Sequence, residues 1–118
     1  MNNIKAPSLN GDKIFEQYPS SIEAYKKWVG GLPNIDALED QDKLLLGQSL
    51  KAVFYYSPRS LYDFFDDKGL ELLIGRVDDH WYYTVLGDMH SYSAASRIEA
   101  EEAGFQLCFE TLEKQLTK

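Results

Sequence analysis

Two histidines, one cysteine and several clustered carboxylates are the residues of this 118-residue chain with chemistry to offer. Asp79-His80 and Asp88-Met89-His90 each set an imidazole near carboxylates, a pairing that suits a zinc or manganese ion or a general base. Cys108, with histidines elsewhere, has the residue types of a nucleophilic thiol. Trp81-Tyr82-Tyr83 and Phe54-Tyr55-Tyr56 offer aromatic surface of the kind that stacks on bases or anchors a protein contact. The chain has no GxSxG, HExxH or GxxxxGK[ST] motif, and Gly30-Gly31 lacks a phosphate-loop context.

The elements that carry these residues decide between those chemistries. Residues 1–13 are poor in apolar side chains and read as a flexible leader, with residues 14–118 as one α+β domain. Ser20 and Glu23 have capping-box spacing, and Ile22, Tyr25, Trp28 and Val29 follow at helical spacing over about 21–29, stopped by Gly30-Gly31. Asp36 to Tyr55 predicts a longer helix, acidic at its start, with Leu46, Leu50, Val53 and Phe54 as its apolar stripe and Gly47 as its weak point. Ser57-Pro58 opens a third helix, which buries Leu61, Phe64 and Phe65 and stops at Gly69.

Beyond Gly69 the period changes to alternation. Leu70–Val77, His80–Leu86 and Met89–Ser93 read as a three-stranded antiparallel meander joined by two-residue turns at Asp78-Asp79 and Gly87-Asp88. Such turns fix the register, placing Arg76 opposite Trp81, Ile74 opposite Tyr83, Tyr83 opposite Tyr92 and Val85 opposite His90. One face then carries Leu72, Ile74, Trp81, Tyr83, Val85 and Tyr92 and is the core face. The other carries Leu73, Val77, Tyr82, Leu86 and Met89, too apolar for open solvent, so a cover over part of it is expected. Arg76 beside Trp81 predicts a cation–π pair worth ~0.5–1 kcal/mol. Ser96 and Glu99 repeat the capping-box spacing and open a long C-terminal helix, whose stripe of Ile98, Phe105, Phe109, Leu112 and Leu116 packs on the sheet.

On this register His80 and His90 occupy opposite faces and ends of the middle strand, about 20 Å apart at ~3.3 Å per residue. No shared metal site, and no cofactor, is expected. Cys108 falls on the apolar side of the last helix, where a thiol is an inert small hydrophobe. The residues therefore nominate no catalytic group.

The order helix–strand–strand–strand–helix from Ser57 to Leu116 is similar in outline to the double-stranded-RNA-binding domain, and Glu99-Ala100-Glu101-Glu102-Ala103 echoes that family's Lys-Ala-rich segment. That family holds RNA phosphates with lysines at the start of the final helix, where this chain has glutamates.

Charge is the more informative signal. The chain is 44% hydrophobic and 14% aromatic with a net charge of −7, a globular composition that disfavours phosphate-backbone binding. Between residues 60 and 102 ten acids face three bases, Lys68, Arg76 and Arg97, whereas nine acids balance nine bases elsewhere. Turns and helix starts account for most of those acids. Asp66 and Asp67 are the exception, at the end of the third helix where the dipole disfavours anions, and Asp63 with Asp67 is a like-charged i, i+4 pair.

Asp63, Asp66, Asp67 and, on the second sheet face, Tyr82 are accordingly the candidate binding residues. The leading expectation is a small acidic protein-binding module of a reducing cytoplasm, an inhibitor or regulator of a basic protein partner. A homodimer or larger scaffold burying the second sheet face is the alternative, and a small-ligand protein or enzyme the third. Neither a signal peptide nor a membrane span is read in the sequence. No duplex DNA or RNA binding is predicted at micromolar protein in ~0.15 M salt, because the acidic segment repels phosphates. A salt-sensitive gel shift with generic duplex RNA would overturn this.

Overall fold

Phe54, Phe64, Phe65, Phe105 and Phe109 are all fully buried, and the elements are arranged around them. The computed structural model describes residues 7–30, 40–56, 58–86 and 90–118. In chain order these form α1 (Gly11–Gln17), α2 (Pro19–Gly30), α3 (Asp40–Tyr56), a 3₁₀ turn at Pro58–Ser60 and α4 (Leu61–Asp67). The strands β1 (Leu72–Val77), β2 (His80–Val85) and β3 (Ser91–Ala94) follow, and α5 (Arg97–Leu116) ends the chain. The class is α+β, with α5 packed on the three-stranded antiparallel sheet.

The sheet follows the alternation closely. The order is β1-β2-β3, with Arg76 opposite Trp81, Ile74 opposite Tyr83 and Tyr83 opposite Tyr92. Asp78 and Asp79 both take positive φ, 51° and 68°, the left-handed pair that a two-residue type I′ turn requires and that aspartate tolerates. Arg76 donates to Asp79 at 2.7 Å and lies 5.8 Å from the Trp81 ring centre, which braces the hairpin from outside. The second turn, Gly87-Asp88 with Met89, lies outside the described residues, and His90 precedes β3 without joining the ladder.

Leu72, Val85 and the half-buried Ile74 and Tyr83 turn towards α5 and join its Phe105, Cys108, Phe109 and Leu112. Gly104 allows this approach, since a Cβ there would lie 2.5 Å from Leu72 Cδ1. At the end of α4, Gly69 adopts φ 75°. Leu70 N–H then donates to Phe65 O at 2.8 Å and Gly69 N–H to Asp66 O at 3.1 Å, a Schellman ending that turns the chain into β1.

Several local expectations give way to tertiary contacts. The second half of the leader is anchored rather than loose. Leu9 is buried and donates its N–H to Phe54 O at 3.0 Å, and Asn10 caps α1 by accepting from Lys13 N–H at 3.1 Å. One apolar residue and one cap sufficed there, too little for a periodic signal. Residues 1–6, Asp36 to Glu39, Gly31 and Ser57 lie outside the described residues, as does the side chain of Leu46. Leu50 and Phe54 supply the buried stripe of α3, which runs unbroken through Gly47. The helical register after Pro58 begins with a 3₁₀ turn before α4.

The expected capping box of α2 is likewise replaced. Glu113 of α5 accepts from Ser21 N–H at 2.8 Å and Ser20 N–H at 3.2 Å, capping α2 from another element. In α5 the box is realised with one shift. Ser96 Oγ accepts from Glu99 N–H at 3.2 Å, while Glu99 reaches back to Ala95 N–H at 3.3 Å.

Burial pushes the Glu113 carboxyl up, but hydrogen bonds from the N–H and hydroxyl groups of Ser21 and Ser20 outweigh it and hold the group below its ordinary value. A depressed folded-state value means stability that is present above the unfolded value of ~4.3 and lost as pH falls through the folded one. Glu113→Gln is therefore expected to cost about 1 kcal/mol at neutral pH, as other lost helix caps do. The gap from wild type should close below pH ~4.3 in urea denaturation at a series of pH values.

Candidate protein-binding surface

The three aspartates share one helix. Leu61, Phe64 and Phe65 turn into the core from α4, which leaves Asp63, Asp66 and Asp67 exposed on its other side. Asp63 lies in the first turn, where an anion suits the dipole, whereas Asp66 and Asp67 lie in the last turn, which contains no base. Lys68 at the C-cap extends its ammonium over the Phe64 ring, 5.8 Å from the centre.

Tyr82 stands apart from them, in the middle of β2 on the sheet face turned away from α5. Its cross-strand partner is Gly75, beyond whose Cα lies open space, so a hollow of about 350 Å³ forms among Gly75, Val77, Tyr82 and Ser91. None of the three aspartates lines it. The cover expected over this face is not found among the described residues: Leu73, Val77 and Leu86 are 44%, 60% and 46% exposed. Thr84 and Ser91 hydroxyls bond each other at 2.8 Å beside that apolar strip. Glu71, at the β1 end, and Asp78, at the hairpin tip, are exposed carboxylates at the ends of the sheet, and Asp79 beside Asp78 is held by Arg76.

The other reactive residues of the sequence lie apart from these and from one another. Cys108 is fully buried with Sγ 3.7 Å from Leu70 O, and burial, with Asp66 adding to it, pushes the thiol up to about 12. A thiol so protonated is no nucleophile at neutral pH. His80 is paired with Val77 at the first turn, and the His90 ring lies 6.2 Å from that of Tyr92. Among the described residues no three His, Cys, Asp or Glu side chains gather as metal ligands.

Two glutamates assigned by sequence to the dipole of the last helix have tertiary roles instead. Glu101 is 1% exposed and accepts from Arg59 Nη2 at 2.9 Å and Nε at 3.0 Å, together with the Tyr62 hydroxyl at 3.1 Å. Burial and the adjoining Glu101 carboxylate push the Tyr62 hydroxyl well above its ordinary range. Glu102 accepts from Ser8 N–H at 2.7 Å. Glu101 thus belongs to an internal ion pair with Arg59, a base just outside the acidic segment, and not to the acidic surface. Two features in the sequence could have flagged this, namely Glu101 at i−4 from the core residue Phe105 and Arg59 beside the Pro58 turn.

Comparison with protein-family models, curated proteins and solved structures finds no match. Replacing Asp66 and Asp67 by Asn removes two anions from a helix C-terminus and one like-charged i, i+4 contact. Stability is expected to hold or to rise by ~0.3–1 kcal/mol, read as a shift of the urea midpoint at constant slope. A loss of stability would assign the two carboxylates to the fold.

Proposed function

We propose that this chain is a small protein-binding module that docks a basic protein partner, as its inhibitor or regulator. The observation that carries the reading is the bare outer face of the meander, with Leu73, Val77, Tyr82 and Leu86 as apolar contact area. It lies in the same segment that holds the whole net charge of the chain. Exposed apolar area of this kind marks interaction sites, and the carboxylates at its ends favour a partner whose rim is basic. Asp63, Asp66 and Asp67 extend the negative field and act on the encounter, while the Gly75–Tyr82 hollow supplies close fit. A second copy would bring the same acidic rim against itself. No helix among the described residues is long and apolar enough to cross a membrane. The lone, buried Cys108 is at home in a reducing cytoplasm.

The test is affinity capture from the native host followed by association kinetics of the captured partner across a salt series. Association is expected to slow as salt rises, and Asp66→Asn with Asp67→Asn to slow it further and flatten the salt dependence. Tyr82→Ala should act mainly on dissociation. Kinetics indifferent to salt and to all three substitutions would overturn the reading. A mass that doubles with protein concentration and returns to monomer on Val77→Asp would install the homodimer in its place.

A further inference from the structure

A second concavity lies on the opposite side of the sheet. Tyr83 and Tyr92, paired across β2 and β3, stack with ring centres 5.2 Å apart and planes 18° from parallel, so that they cover each other and together form one aromatic wall of the cleft. Tyr18, between α1 and α2, contributes a third ring, itself stacked on Phe109 at 6.3 Å and 12°. Gln106 and Glu110, four residues apart on α5, complete a cleft of about 310 Å³. The Tyr18 hydroxyl is pushed up first by burial and then by Glu110, so the carboxylate is close enough to act on the ring's edge.

The composition of this cleft selects a ligand charge. Aromatic rings and a carboxylate both attract a cation and repel an anion. Glu110 pairs with Lys114, 3.5 Å away along the same helix, where Glu110 is half exposed and Lys114 largely open to solvent. An exposed i, i+4 pair of this kind holds its partners weakly and yields to a better-placed cation. The volume is at the lower bound of small-molecule sites, enough for one side chain and too little for a nucleotide-sized cofactor. A planar guanidinium meets each feature, because it stacks flat on an aromatic wall while its fork of N–H donors engages a carboxylate and an amide oxygen.

We propose that the Tyr18–Tyr83–Tyr92 cleft receives an arginine side chain of the basic partner, stacked on the Tyr83–Tyr92 wall with its guanidinium fork on Glu110. The proposal rests on the protein-binding reading and names a contact within it that the outer sheet face does not supply. Lysine fits less well, since its ammonium is more strongly hydrated and offers no plane to stack.

The test uses the full chain with ring-labelled tyrosines, titrated with Nα-acetyl-arginine amide and followed by NMR. Saturable shifts of the Tyr18, Tyr83 and Tyr92 rings are expected with arginine and not with the neutral citrulline analogue. Tyr83→Leu and Glu110→Gln should each weaken binding by about tenfold, and Tyr83→Phe should retain it. Glu110 is half exposed, so the melting temperature of Glu110→Gln is expected to match wild type and separates lost binding from lost folding. Equal shifts with citrulline, no shift at the three rings, or undiminished binding in both weakening variants would overturn the proposal. If arginine fails while partner association keeps its salt dependence and its sensitivity to Asp66 and Asp67, the cleft is excluded and the protein-binding reading stands. If arginine saturates the cleft while partner association ignores salt, the basic-partner reading falls and the cleft remains a guanidinium site.

Discussion

Phe109 is the contact on which the remaining structure depends. Its ring meets Phe65 of α4 at 4.9 Å, Phe54 of α3 at 5.5 Å and Tyr18 at 6.3 Å, so three separate stretches of chain converge on one residue of α5. Its carbonyl also accepts the Ser21 hydroxyl at 3.0 Å, which fixes α2 alongside. Edge-to-face and tilted ring pairs add ~0.5–1.5 kcal/mol each beyond the area they bury, and losing a buried Phe outright costs ~3–5 kcal/mol. The aromatic cluster continues through Tyr25, which packs on Phe54 at 5.4 Å and Phe64 at 5.0 Å. Without this focus the N-terminal helices would have little reason to fold against a sheet that α5 alone covers.

Around that apolar centre α5 uses carboxylates as ties. Glu101 reaches Arg59 and Tyr62, Glu102 reaches Ser8, and Glu113 reaches Ser20 and Ser21. A buried carboxylate is strongly destabilising unless paired and hydrogen-bonded, and Glu101 meets both conditions. Among the described residues no buried side-chain nitrogen or oxygen lacks a hydrogen-bond partner. The helix thus orders the N-terminal half by directional bonds at its flanks and by aromatic packing along its face. The acidity of the segment is in part structural for the same reason, since Glu101 and Glu102 are taken up by Arg59, Tyr62 and Ser8.

The meander separates two tasks between its faces. The inner face takes Leu72 and Val85 into the core and leaves Tyr83 and Tyr92 at the margin, where α5 passes beside them. The outer face keeps Leu73, Val77 and Leu86 in solvent. An antiparallel sheet covered on one side ordinarily alternates apolar inward with polar outward, and Leu73, Val77 and Leu86 break that rule where contact with another molecule would repair it.

Local patterns were enough to determine the meander, its register and the direction of its faces. Side chains alternate with a period of two, and Asp78-Asp79 closes a turn that admits one pairing, so Ile74 opposite Tyr83 and Arg76 opposite Trp81 follow from chain order alone. The start of α5 and the Gly69 ending of α4 were legible for a similar reason, since caps act within a few residues. Asp63, Asp66 and Asp67 could be assigned to the third helix and Tyr82 to the second sheet face from local pattern, but that none of the aspartates lines the hollow at Tyr82 could not. Glu102 and Glu113 looked like ordinary helix glutamates, because nothing local distinguishes a solvated carboxylate from one that meets Ser8 or Ser21 across the fold, and for Glu101 only its spacing from Phe105 hinted at burial. The aromatic cleft has the same origin. Its Tyr83–Tyr92 wall was set by register, whereas Tyr18 and Glu110 joined it only when the packing of Phe109 brought α1 and α5 together.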